Sequence, residues 1–543
     1  MPAPSRQLKL IGAAALAALI LAGCGGSKHK PVATVVTTVT TVTKPSAKPP
    51  PRSSMISIFG DPARLLTSPG PTLDTYRALG VDYARVTVPF AGLVADPRAT
   101  SPPAGFDPSS PASYPADKWA PYDTIVREAT ARGLGVILDP GSPVPAWATG
   151  GGEPAGGLPY VWKPSAVAFG AFVHALGVRY GGQYTPPGAS APLPRVSFWS
   201  VWNEPNYGPE LAPQATDHST VEASPAMYRV LLDAAWKSLH QTGHGGDRIL
   251  FGELAPRGRT TGDNPGNFSG MVPLRFVRAL YCVDSSLHPL QGSAATARGC
   301  PATASASKQF PSQNPALFRA TGMAIHPYPQ GALAPDAVIP DEPDYADLAN
   351  LPKLERQLDS IQQAYGLSKR FDLYSTEFGY KTNPPTPLGP PLQQAAAYLN
   401  WSEFISWSDP RIRSYNQYLL SDPPPASSHF DTGLEFLDGT LKPSYAAFRL
   451  PIYLPVTRGA AGAALTVWGC VRPAHFAAGS QRARVEFDSG KGFKSLETVP
   501  ILNRNGYVDA TVRFPSSGSV RLAWSYPHGG PEIHSREVKV TIT

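Results

Sequence analysis

The chain has 543 residues, more than one ordinary domain needs, so two folded units behind a leader are expected. Its formal charge of +7 suggests a surface for nucleic acid or lipid, but residues 1–53 hold seven Lys and Arg and no Asp or Glu. The remainder is formally neutral, so no folded basic face is implied and no nucleic-acid partner is expected.

In chain order, Arg6 and Lys9 precede an apolar run from Leu10 to Leu21 that is too short to span a bilayer and has the proportions of a secretory signal core. Leu21-Ala22-Gly23-Cys24 resembles a bacterial lipobox, which implies a signal peptide over 1–23, cleavage before Cys24 and lipidation of that cysteine. The expectation is a lipoprotein held at the outer face of a bacterial cell membrane; the alternative is an ordinary cleaved signal with Cys24 incidental. Residues 24–53 are Thr-, Pro- and Lys-rich, with the run Pro49-Pro50-Pro51 and no aromatic or acidic side chain. Such a segment cannot bury a core and reads as a disordered linker.

From residue 54 to 452, short apolar runs recur at intervals that leave room for helices. Asp82–Val88 reads as a second strand, with Arg85 on it, and Gly135–Asp139 as a third, followed by Pro145-Ala146-Trp147. Val196–Val201 is continuously apolar or aromatic apart from its serines, which suits a strand buried on both faces. It leads into Trp202-Asn203-Glu204-Pro205-Asn206, where the proline stops the strand. Ile249–Glu253 and Met323–Tyr328 read as strands five and six, the latter carrying His326 and Tyr328. Between them, a Ser/Ala/Gly-rich insertion holds Cys282 and Cys300, which an oxidising compartment would join as a disulfide. Phe371–Tyr374 precedes Ser375-Thr376-Glu377-Phe378-Gly379, in which Gly379 is expected to permit a sharp turn; Ser414–Leu419 reads as strand eight.

Glu204 and Glu377 therefore stand at the carboxyl ends of two strands far apart in sequence. Cleavage of a glycosidic bond requires one carboxylic acid to protonate the leaving oxygen and one carboxylate across the anomeric carbon. A parallel (β/α)8 barrel brings distant strand ends to one rim, so the expected fold class is α/β, a (β/α)8 TIM barrel.

With these motifs in order, the chain resembles the clan A glycoside hydrolases, retaining barrel enzymes that include families 5 and 39. The resemblance covers roughly residues 55 to 450, up to an Asp438–Tyr445 segment similar to the one closing many such barrels. It implies that Glu204 is the acid/base, Glu377 the nucleophile, and Asn203 a contact to the sugar 2-hydroxyl. It also implies that Arg85 keeps the nucleophile ionised and that His326 and Tyr328 bind substrate and orient the nucleophile. Many relatives place a tryptophan under the sugar at the end of strand eight, where this chain has Gln417 and Tyr418. Trp147 is read as a sugar platform or a packing residue, and Asp139 as a sugar ligand or a loop cap. Glu253 is read as a hydrogen-bonded rim or core group, and Trp199 as core. The resulting expectation is a retaining hydrolase of an extracellular oligo- or polysaccharide with no metal or organic cofactor. The alternatives are a transglycosylase or a non-hydrolytic carbohydrate-binding protein on the same barrel.

After Arg449 the pattern changes to period two. Ala483, Val485 and Phe487 alternate with Arg482, Arg484 and Glu486, and Val520, Leu522, Trp524 and Tyr526 follow the same rule, as do Val538, Val540 and Ile542. This predicts a small immunoglobulin-like β-sandwich over 453–543, with Trp524 and Tyr526 on its core face and Cys470 buried and free.

Overall fold

The computed structural model describes residues 55–154, 157–216, 219–259, 269–425 and 430–543. The expected signal peptide, the lipidation site Cys24 and the linker lie outside the described residues. Eight parallel strands close a barrel in sequence order: β1 (Ile56–Gly60), β2 (Tyr83–Pro89), β3 (Gly135–Gly141), β4 (Phe198–Ser200), β5 (Arg248–Leu254), β6 (Gly322–Ile325), β7 (Asp372–Ser375) and β8 (Ile412–Tyr418). β8 returns to pair with β1. The seven strands singled out from sequence are all present, and β1 completes them.

Period-two alternation divides each barrel strand between two environments. Outward side chains such as Val86, Leu138, Trp199, Phe251, Met323 and Leu373 join the large core between strands and helices. Inward, Ile58, Ile137, Phe198, Leu250, Ala324 and Tyr374 form a separate apolar layer that plugs the barrel. Two residues further along the strands the inner face turns polar, and there the chemistry is concentrated.

Gly379 departs from expectation. Its φ is not positive, and a side chain is excluded by space: an added Cβ would lie 2.9 Å from Thr432 Cβ. It is required for close approach rather than for a turn. In the segment between β5 and β6, Cys282 and Cys300 form the expected disulfide, with Cα atoms 5.6 Å apart.

Past the last barrel helix, Pro443–Arg449, the chain forms an all-β unit of two sheets. β9 (Ile452–Tyr453), β11 (Ala464–Cys470) and β14 (Tyr507–Arg513) make one sheet. β10 (Arg458–Gly459), β12 (Gln481–Asp488), β13 (Lys494–Ile501), β15 (Gly518–Ser525), β16 (Glu532–His534) and β17 (Val538–Ile542) make the other. Ala483, Val485, Phe487, Val520, Leu522 and Trp524 are buried between them, as alternation requires, and Tyr526 packs half-buried against the same core. Cys470 is buried and free.

The two units share a packed boundary. Trp468 and Tyr507 pack edge-on or tilted against Phe404 and Trp407 of the barrel helix Leu392–Ser408, with ring centroids 5.6 to 6.2 Å apart. Beneath them, Arg472 Nη2 donates to Glu403 Oε2 at 2.6 Å and Tyr507 Oη to Glu403 Oε1 at 3.0 Å, with Arg472 and Glu403 both almost fully buried. Removing one member of such a pair leaves the other charge uncompensated in low dielectric. Arg472→Ala is therefore expected to lose about 3–5 kcal/mol of stability, read by urea unfolding. A parental midpoint would show that the boundary depends on its aromatic contacts instead.

Candidate active site

The polar layer follows from the alternation that builds the plug. Tyr83 and Arg85, Ile137 and Asp139, Phe198 and Ser200, Ala324 and His326, and Tyr374 and Thr376 are each two residues apart, so each pair shares the inner face. Glu253 does not fit this rule, because Phe251 faces outward. A register shift in β5 between Phe251 and Leu254, with φ of 108° at Gly252 and 47° at Glu253, turns the carboxyl inward. Trp202 and Glu204, just past β4, also have positive φ, at 69° and 38°. Such backbone costs energy in non-glycine residues and persists where the surroundings enforce it.

Arg85 is the hub. Its Nη1 donates to Glu377 Oε1 at 2.6 Å, and its Nη2 reaches Asp139 Oδ2 at 2.7 Å, Asn203 Oδ1 at 2.9 Å and Glu253 Oε2 at 3.1 Å. Tyr328 Oη donates to Glu377 Oε2 at 3.0 Å, so both oxygens of Glu377 are fixed by donors from different strand ends. His326 Nδ1 lies 2.9 Å from Glu204 Oε1, and its Nε2 lies 2.6 Å from Glu253 Oε2. Glu253 also accepts from Thr376 Oγ1 at 2.8 Å and from the Ser200 hydroxyl.

Burial alone would push Glu253 up, but the Arg85 guanidinium and the His326 ring outweigh it and hold the carboxyl down at about 2. Burial likewise opposes a charge on His326, yet Glu377, Glu204 and Glu253 around it raise it to about 10. His326 is thus held as an imidazolium at neutral pH, and each ring nitrogen donates a hydrogen bond to a carboxyl oxygen, Nδ1 to Glu204 and Nε2 to Glu253. Burial drives Asp139 well above the ordinary carboxylate range against the pull of Arg85. Its Oδ1 meets no hydrogen-bonding partner among the described residues, as suits the neutral acid.

Glu204, His326 and Glu377 present ligand-type atoms within 4.8 Å of one another, a grouping compatible in size with a metal ion. Both ring nitrogens of His326 face carboxyl oxygens, Nδ1 that of Glu204 at 2.9 Å and Nε2 that of Glu253 at 2.6 Å. The same spacing brings oxygens of Glu204 and Glu377 within 4.8 Å. Their side chains are 14% and 10% exposed while those of Asp139 and Glu253 are 0%, so only the first two can meet a ligand.

Of the residues singled out from sequence, Arg85, Asn203, Glu204, His326, Tyr328 and Glu377 converge. Asp139 joins them as a partner of Arg85. Its complete burial rules out the sugar contact considered for it, and the loop-capping alternative gives way to the Arg85 pair. Glu253 is the buried hydrogen-bonded group it was read as. Trp199 is core, and Trp202 is fully buried with its ring 5.0 Å from Phe169. Trp147 is half-buried, edge-on to Phe90 at 5.4 Å and Phe106 at 5.8 Å. Gln417 is fully buried and donates to the carbonyls of Tyr418 and Thr432. Alternation instead turns Tyr418 toward the pocket, above Asn416, where its ring meets Phe430 at 5.7 Å. Ser200 carries no motif, and Thr376 stands in the Ser375–Gly379 run without a role read for it; inner-face register was the signal available for both.

No protein-family model matches the chain, and no curated protein does. Among solved structures, a family 39 glycoside hydrolase from Bacteroides cellulosilyticus WH2 is 14% identical with a TM-score of 0.44, over 85% of this chain and 79% of that one. The β-glycosidase of Thermosphaera aggregans is 15% identical with a TM-score of 0.44, over 71% and 84%. A family 1 β-glucosidase from Thermotoga maritima is 12% identical with a TM-score of 0.42, over 70% and 85%.

Proposed function

We propose that the protein is a retaining O-glycoside hydrolase of the clan A type, acting on an oligo- or polysaccharide outside the cell. In this reading a lipid on Cys24 and the following linker tether it to the outer face of a bacterial membrane. The observation that carries the reading is the pair Glu204 and Glu377, at the carboxyl ends of β4 and β7, with oxygens within 4.8 Å. Retaining enzymes hold their carboxyl groups about 5–5.5 Å apart, whereas inverting ones leave about 6.5–9.5 Å for a water.

Each contact then has a task. Arg85 and Tyr328 hold the two oxygens of Glu377 and aim a lone pair at the anomeric carbon. His326 donates to Glu204 Oε1, leaving Oε2 to carry the proton. In the first step a Glu377 oxygen bonds to the anomeric carbon, the bond to the leaving oxygen breaks, and the Glu204 proton passes to that oxygen. In the second, Glu204 takes a proton from water, the water oxygen bonds to the anomeric carbon, and Glu377 leaves as a carboxylate. Glu253, a fixed anion between Arg85 and His326, keeps both cations in place without touching the sugar.

The test is the anomer first released from aryl glycosides, followed by proton NMR before mutarotation. The expected product has the configuration of the substrate. An inverted first product would refute double displacement, and binding without cleavage across a broad glycoside and polysaccharide panel would favour a carbohydrate-binding protein.

A further inference from the structure

Arg85 and His326 serve the carboxyl groups of the site by direct hydrogen bonds, yet two further cations stand on the same rim. Arg257 follows β5, and Lys381 lies just past Glu377 in the loop after β7. Arg257 Nη1 donates to the Tyr328 carbonyl at 2.6 Å, and the hydroxyl of the same tyrosine holds Glu377 Oε2 at 3.0 Å. Lys381 Nζ sits 4.7 Å from the centre of the Phe430 ring, which in turn meets the ring of Tyr328 at 5.1 Å and that of Tyr418 at 5.7 Å. Both cations are thus grouped around Tyr328, the residue that anchors the nucleophile.

Neither forms an ion pair among the described residues, and Asp431, on the chain beside Lys381, turns its carboxylate to Thr386 Oγ1 at 2.6 Å. Arg257 also keeps Nε and Nη2 without a partner among the described residues. Those two nitrogens form the side-on edge of the guanidinium, whose parallel N–H groups match two oxygens of one anion. Both side chains are half-buried. Enclosure pulls both below their ordinary range and outweighs the attraction of Asp347 and Asp431 on the adjoining loops. Half-buried cations without a counter-charge are costly, so the arrangement calls for an anion from outside the chain.

We propose that Arg257 and Lys381 form an anion-binding site beside the catalytic pair, and that the glycan cleaved here carries an acidic substituent, a uronic-acid carboxylate or a sulfate ester. The inference rests on the glycosidase reading and adds the substrate class, through two residues that no motif supplies. A neutral sugar would leave both cations unpaired, whereas an acidic one satisfies them. Without them an acidic sugar would meet only the repulsion of Glu377.

The experiment compares the parent, Arg257→Gln, Arg257→Lys, Lys381→Met and Glu377→Ala on matched oligosaccharides that are neutral, oxidised to the uronic acid, or sulfated. The quantity read is the ratio of kcat/KM on the acidic sugar to that on its neutral counterpart. The parent is expected to favour one acidic series roughly tenfold or more, and that series identifies the anion. Arg257→Gln and Lys381→Met should each lower the ratio about tenfold, the scale of a lost charge-assisted hydrogen bond. Arg257→Lys should fall between, because an ammonium keeps the charge and loses the fork. A parent that cleaves neutral sugars as well as both acidic series, or a parental ratio in both the glutamine and methionine variants, would overturn the inference. Cleavage that survives in Glu377→Ala would instead refute the underlying reading. Independently of turnover, calorimetric titration of Glu377→Ala should show tighter binding of the acidic oligosaccharide than of the neutral one, a difference that adding Lys381→Met diminishes. Equal or absent binding of the acidic series would also overturn the inference, while acid-selective binding by a parent that cleaves nothing would keep the anion site and refute hydrolysis.

Discussion

Replacing Glu377 by alanine is expected to abolish hydrolysis, with kcat falling by roughly 10⁴- to 10⁶-fold, the scale on which loss of a covalent nucleophile acts. The fold should survive, because Arg85 keeps Asp139 and Glu253 as partners and Tyr328 stays packed on Phe378 and Phe430. The space vacated by the carboxylate lies on the face of the sugar opposite Glu204. Added azide should enter it, attack the anomeric carbon of an aryl glycoside and give a glycosyl azide of inverted configuration. Rescue with inversion would identify Glu377 as the nucleophile; undiminished activity in the alanine variant would remove it from that role. Unfolding curves of variant and parent keep loss of chemistry separate from loss of fold.

A loss of stability as large as that at Arg472 is expected at Arg85. Its guanidinium is 1% exposed and donates to Glu377, Asp139, Glu253 and Asn203, so one side chain neutralises the centre of the barrel mouth. Arg85→Met removes the cation and leaves buried carboxyl groups facing one another with only His326 to offset them. The expected loss is about 3–5 kcal/mol, typical of breaking a buried ion pair by deleting one partner, measured by urea unfolding at pH 7. Turnover should fall as well, because Glu377 loses the donor that fixes its Oε1. Part of the stability should return on acidification, which protonates the stranded carboxylates. A methionine variant as stable as the parent at neutral pH would mean that the carboxyl groups already share protons closely enough to need no arginine. Arg85→Lys should fall between the two, since a compact ammonium cannot span acceptors on four different strand ends.

Several features were fixed by the residues themselves. Pro205 ending a strand, apolar runs spaced to leave room for helices, and the change to period two after Arg449 depend on local sterics and on which faces must be dry. Those properties are written in neighbouring residues. The glutamates at two strand ends were legible for the same reason, and so was the Cys282–Cys300 bridge, which lies within a single insertion.

Other features depended on closure of the barrel. Glu253 could not be placed by alternation, because a bulge in β5 reverses the direction its side chain takes. Asp139, at the end of a strand like Glu204, had an equal claim to face a sugar until the position of Arg85 sealed it from solvent. Arg472 meets Glu403 across the boundary between the two units, which local sequence could not pair. Local sequence determined which elements form and which strand ends carry carboxyl groups. Which carboxyl groups stay charged, which are neutral acids and which reach a ligand was decided only by the tertiary structure, because desolvation and charge proximity arise between residues that sequence holds far apart.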